Sequence, residues 1–145
     1  MAKVFVSSVL NAPVEQVWKV IGEFDAVPEW HPDIKECSIE NFVSCDTVGA
    51  MRNLTMPDGA KIREKLLTLS YDDYMYKYTI IEGPLPVKNY NGTLRLRPIT
   101  DGNRTYVEWS SEFDVAPADE AQFVGMISGV FISGLDNLKK RFGVG

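Results

Sequence analysis

The stretch PADEAQFVGMISGVFISGLDNLKKRF, residues 117–142, decides how this chain folds. It reads as one long helix. Phe123, Ile127, Val130, Phe131, Leu135 and Leu138 recur at helical spacing and form an apolar stripe. Asp119 and Glu120 occupy its first turn, and Lys139, Lys140 and Arg141 its last, the order the helix dipole favours. Gly143 stands where a C-terminal cap is expected. The partner for such a stripe lies upstream. From Ile34 to Val115 the pattern is strand, turn, strand, with strands expected over 34–43, 48–56, 61–70, 74–82, 88–98 and 104–115. Asp58-Gly59, Asp72-Asp73 and Asp101-Gly102-Asn103 mark tight turns, and EGPLPVKN, residues 82–89, a longer connection. Links this short favour antiparallel neighbours.

Further upstream, Lys3 to Leu10 alternates and predicts one more strand. NAPVEQVWKVIGEF, residues 11–24, predicts a helix with Pro13 at its first position and Val14, Val17, Trp18 and Ile21 on one face. DAVPEWHPD, residues 25–33, predicts a short helical turn and a loop. Helices that do not alternate with strands give an α+β class: a curved antiparallel sheet of seven strands wrapped around the long helix.

The bulk numbers narrow the function. The chain has 145 residues, 45% of them hydrophobic, which suits one domain with a sizeable core. Its net charge of −5 argues against nucleic acid and against an anionic membrane surface. Cys37 and Cys45 lie eight apart, with neither a CxxC pair nor zinc spacing, and read as two reduced thiols. The N-terminus lacks a long apolar region, so no signal peptide is expected and the predicted location is cytoplasmic. With a single histidine, His31, no multi-histidine metal site is expected, and neither is a cofactor. GxSxG, Walker, GxGxxG and HExxH signatures are all missing.

Two features point to a cavity. The long helix carries Gly125, Gly129 and Gly134 in its interior. Each costs about 1 kcal/mol against alanine, a cost that either close packing on the sheet or space for a ligand would explain. On the strands, an inward Trp109 brings Ser111 and Phe113 inward, an inward Glu64 brings Leu66 and Thr68, and an inward Tyr90 brings Gly92 and Leu94. Tyr74, Tyr76 and Tyr78 share one face. Such an inner face mixes aromatics with isolated polar groups. A carboxylate there suits a wet or ligand-filled space better than a dry core. Arg52 either pairs with Glu64 or Glu108 or sits solvated on the outer face.

NAPVEQVWKVIGEFDAVPEWHPDIKECSIE, followed in order by VGAMRNL, REKLLTLSYDD, EGPLPVKNY and TYVEWSSEFDV, resembles the START-like or SRPBCC superfamily over nearly the whole chain. It looks most like the polyketide cyclase/dehydratase branch, and is similar to plant abscisic acid receptors and birch-pollen-allergen-like proteins. The resemblance implies the helix-grip fold around a hydrophobic cavity. It sets His31 where the receptors keep a lysine that meets the ligand's carboxylate. Glu64 in REKL matches a pocket glutamate, and Tyr90 in KNY a pocket tyrosine. TMPDGA, residues 55–60, falls at the receptors' gate loop and GPLPV, residues 83–87, at their latch. The gate lacks their Ser-Gly-Leu-Pro-Ala run and the latch their His-Arg-Leu.

Three functions follow. The first is binding of a small hydrophobic ligand, lipid-, polyketide- or terpenoid-like, by Trp30, His31, Arg52, Glu64, Tyr76, Tyr78, Tyr90, Trp109, Phe123, Ile127 and Phe131. The second is a cofactor-independent cyclase or dehydratase, a lyase or isomerase, using His31 and Glu64 for acid–base chemistry. The third is a protein-interaction module. For His31 the alternatives to ligand contact and catalysis are packing on Trp30 or capping a turn.

Overall fold

The computed structural model describes residues Met1–Gly145. Its strands are β1 (Ala2–Leu10), β2 (Glu36–Ile39), β3 (Met51–Thr55), β4 (Lys61–Ser70), β5 (Met75–Glu82), β6 (Lys88–Ile99) and β7 (Arg104–Asp114). They form one sheet in the order β1-β7-β6-β5-β4-β3-β2, with every neighbouring pair antiparallel. Helices α1 (Val14–Ile21) and α2 (Val27–Trp30) follow β1, and α3 (Glu120–Phe142) closes the chain. At 23 residues α3 is about 35 Å long. It packs closest on β1. This is the α+β arrangement expected from the order of elements, and the helix-grip fold that the resemblance implies.

The core lies between α3 and the inner face of the sheet. Leu135 and Leu138 of α3, Leu10 of β1, Leu94 and Leu96 of β6, Val107 of β7, and Val17 and Ile21 of α1 fill its C-terminal half. Burying side chains of this size contributes about 1.5–3 kcal/mol each before entropy is counted. β7 alternates strictly, with Trp109, Ser111 and Phe113 buried, and Tyr90, Gly92 and Leu94 of β6 are buried opposite.

Several expectations are corrected. α1 begins at Val14 rather than Pro13, whose extended backbone (ψ 147°) leaves it just outside the helix. α1 ends at Ile21, with Gly22 capping it through its N–H to the Trp18 carbonyl; Gly22 lies under Trp18, where a side chain would meet the indole at 2.5 Å. The 34–43 strand shortens to Glu36–Ile39, since Asn41 and Phe42 take positive φ (59° and 56°) and turn the chain. The next strand starts at Met51, after turns that place Gly49 at φ +95°. Residues 117–119 form a separate short 3-10 turn ahead of α3.

Two parity expectations also change. A register shift between Leu66 and Thr68 reverses the alternation of β4, so Thr68 faces solvent while Glu64 and Leu66 stay inside. Tyr74 has φ 51° and lies in the turn before β5, where it packs edge-on against Trp18 at 6.0 Å. Only Tyr76 and Tyr78 of that trio face the core.

The three glycines of α3 prove unlike one another. Gly125 and Gly129 are exposed, with open space where a Cβ would stand, so they neither pack on the sheet nor line a cavity. Gly134 is buried, and a Cβ there would meet His31 at 2.8 Å and Trp30 and Trp109 at 3.0 Å. It alone makes the close approach.

Candidate ligand cavity

The N-terminal half of α3 stands off from β3, β4 and β5 and leaves a cavity of about 410 Å³, with 15 of its 20 lining residues hydrophobic. Leu54, Ile62 and Ile80 form the sheet wall, and Ile127, Val130 and Phe131 the helix wall. Met56, Pro57 and Asp58 of the β3–β4 loop, Pro84 and Leu85 of the β5–β6 loop, and Met126 of α3 also line it. These are the loops matched to the gate and latch.

Arg52 and Glu64, directly paired across β3 and β4, supply the buried charge. They are 1% and 6% exposed. Arg52 Nε and Nη2 donate to Glu64 Oε1 at 2.9 and 2.7 Å. Nη1 donates to the Phe24 carbonyl at 2.7 Å and, more weakly, to the Tyr76 hydroxyl at 3.4 Å. The guanidinium also lies over the Phe24 ring, 4.0 Å from its centroid. Arg52 is therefore neither solvated nor paired with Glu108, which faces Arg95 at 3.9 Å. Burial opposes the Arg52 charge, but Glu64, Tyr76 and Tyr78 outweigh it and the group stays cationic. Burial also pushes the Glu64 carboxyl upward, against the pull of Arg52. Because Arg52 cannot shed its proton and needs a counter-charge, Glu64 is held ionised at neutral pH.

Phenols and an indole complete this end. Trp109 Nε1 donates to the Tyr78 hydroxyl at 3.0 Å. Tyr78 lies flat across Gly92, where a Cβ would sit 2.3 Å from its ring. The Tyr78 and Tyr90 ring centroids are 6.1 Å apart. Burial raises both phenols, Tyr90 to about 12, so both remain protonated. The buried Ser111 hydroxyl has no hydrogen-bond partner.

Of the residues expected at the site, Arg52, Glu64, Tyr78, Tyr90, Trp109, Ile127 and Phe131 line the cavity. Trp30, His31, Tyr76 and Phe123 do not. Trp30 and His31 stand behind Trp109, at ring separations of 5.4 and 5.9 Å. His31 is 1% exposed, and both its nitrogens are engaged. Nε2 donates to the Val130 carbonyl at 2.7 Å, which leaves Nδ1 to accept the Asp33 N–H at 3.1 Å. Burial lowers its pKa, more than the Val130 bond and Asp33 raise it. His31 thus caps its own turn and packs on Trp30. It helps tie residues 30–33 to α3, with Ser133 Oγ donating to Asp33 at 2.8 Å and Asn137 donating to the Trp30 carbonyl at 2.7 Å. Tyr76 lies against Phe24, and Phe123 sits one turn before Ile127 on α3. The sequence reading overlooked Leu54, Ile62 and Ile80. Alternation could have found them, since each lies two residues from Arg52, Glu64 or Tyr78 on the same strand face.

Comparison with known proteins agrees with this geometry. The structure superposes on XoxI from Bacillus cereus with a TM-score of 0.89 at 31% identity, covering 98% of this chain and 96% of that one. It superposes on ginseng major latex-like protein 151 from Panax ginseng with a TM-score of 0.79 at 13% identity, covering 97% of each, a likeness of fold alone. In sequence it is 26% identical to the Arabidopsis thaliana abscisic acid receptor PYL10 over 99 residues, 66% of this chain. The match spans about half of that receptor, 53% of its length. The family model for polyketide cyclase/dehydrase and lipid transport matches residues 1–143, and the chain belongs to that family.

Proposed function

We propose that this protein binds a small hydrophobic ligand, lipid-, polyketide- or terpenoid-like, inside the cavity. The observation that carries this reading is the 410 Å³ space itself, a partly open pocket with mostly apolar walls and a few polar groups at one end. Apolar walls left in contact with water are unfavourable, and an apolar occupant that covers them is favoured. Its size and lining match ordinary small-molecule sites. In this reading Trp109, Ile127 and Phe131 supply apolar contact, while Arg52, Glu64, Tyr78 and Tyr90 orient the ligand. Trp30, His31, Tyr76 and Phe123 act indirectly, by holding those groups in place.

Cofactor-independent cyclase or dehydratase chemistry would fall to Glu64 and the phenols, because both His31 nitrogens are engaged outside the cavity. Native mass spectrometry of protein purified gently from its own cells tests the binding reading. A reproducible added mass of small-molecule size is expected, and it should disappear in Ile80→Trp, which fills the cavity. An added mass that persists in that variant would place the ligand elsewhere and overturn the reading.

A further inference from the structure

The polar end of the cavity has a definite hydrogen-bonding demand. Both Arg52 contacts fall on Glu64 Oε1, which leaves Oε2 without a protein donor. Tyr78 accepts from Trp109 and stands against Tyr90, so between them the two phenols have one proton left to donate to a ligand. Ser111, in line with Tyr78 and Gly92 across β5, β6 and β7, is buried behind Tyr90 and outside the lining. Leaving a charged acceptor such as Oε2 unmet costs free energy. The one cation of the lining is already committed. Arg52 holds Glu64 and the Phe24 carbonyl, and His31 lies outside the lining.

We propose that this end of the cavity recognises a hydroxyl group, an alcohol or phenol on an otherwise apolar ligand, which donates to Glu64 Oε2 and accepts from the Tyr78 or Tyr90 phenol. This rests on the ligand-binding reading above. The choice among polar groups follows from their donors and acceptors. A carboxylate cannot donate to Glu64 and would set a second negative charge beside it. A ketone accepts from the phenols but leaves Oε2 unmet. An ammonium donates but cannot accept. A hydroxyl does both and adds no charge to a site whose Arg52–Glu64 pair is already balanced.

The test compares three rigid probes of one shape, 2-naphthol, naphthalene and 2-naphthoate, titrated by fluorescence into protein verified free of ligand by native mass spectrometry. A hydroxyl makes transfer into a merely apolar site less favourable. Tighter binding of the naphthol therefore reports hydrogen bonds and not hydrophobicity. The expected order is 2-naphthol at least tenfold tighter than naphthalene, with 2-naphthoate weakest. Tyr78→Phe and Tyr90→Phe, which remove only a hydroxyl each, test the site without removing either member of the buried ion pair. At least one should lower the ratio of naphthol to naphthalene affinity several-fold. Equal affinity for naphthol and naphthalene, tightest binding of the naphthoate, or a preference unchanged in both variants would overturn the hydroxyl assignment while the cavity reading stands. Failure of all three probes to bind would overturn both.

Discussion

A histidine and an ion pair carry roles that do not follow from residue type alone. His31 is neutral and doubly hydrogen-bonded, and its folded pKa lies below the ordinary 6.5 because burial disfavours the charged ring. An unfolded chain protonates this ring as pH falls through about 6.5, while the folded chain resists. The stability it contributes is present above that pH and is lost progressively below it, down to the lowered folded value. Denaturant midpoints measured from pH 7.5 to 5 should fall for the native chain, with a shallower slope for His31→Asn, which is less stable throughout. Identical slopes would remove His31 from the acid response. The second case is the Arg52–Glu64 pair. Removing one partner leaves the other charge buried, so Glu64→Ala should cost about 3–5 kcal/mol in urea unfolding. Arg52→Met combined with Glu64→Leu should cost less than either single change, because no charge is then stranded. Additive losses would show that the two groups do not act as a pair.

At the scale of elements, α3 puts the same residue type to different uses along its length. Gly125 and Gly129 face open space, so alanine at either should stabilise the helix by about 0.5–1 kcal/mol through reduced backbone entropy. Alanine at Gly134 should destabilise by about 1–3 kcal/mol, since three aromatic rings must move to admit its methyl group. Thermal unfolding of the three variants separates these outcomes, and a shared sign would contradict the placement. Gly129→Leu should leave ligand binding intact for the same reason. The strands carry a similar lesson. Period-two alternation placed Trp109, Ser111, Phe113, Tyr90 and Gly92 on the inner face, but failed at Thr68, where the register shift inserts an extra residue. Tyr74 fell outside the pattern because a left-handed turn residue precedes β5.

The whole molecule divides along α3. Its C-terminal half packs into the core with β1 and β7, while its N-terminal half stands over the cavity. Occupying that cavity should stabilise the fold as a unit. A ligand at a hundred times its dissociation constant adds about 2.7 kcal/mol, which for a chain of this size is a rise in Tm of about 5–10 °C. Differential scanning calorimetry with and without 2-naphthol measures it, and an unshifted Tm at saturating probe would mean that the probe does not bind the folded chain in preference to the unfolded one.

The sequence by itself determined the order and type of the elements, and with them the α+β class. Helical and strand periodicities are local properties, and the turns between strands are written in a few residues each. The cavity residues were legible by alternation at Trp109 on β7, and at Glu64 and Tyr90, each beside a register shift, through the resemblance. What the tertiary structure alone decided was which polar groups meet. Arg52 and Glu64 are twelve positions apart in the chain yet 2.7 Å apart in the fold. His31 and Val130 are separated by 99 positions and joined at 2.7 Å. Such pairings depend on strand register and on how closely α3 approaches the sheet, and both are set by the packing of the whole core.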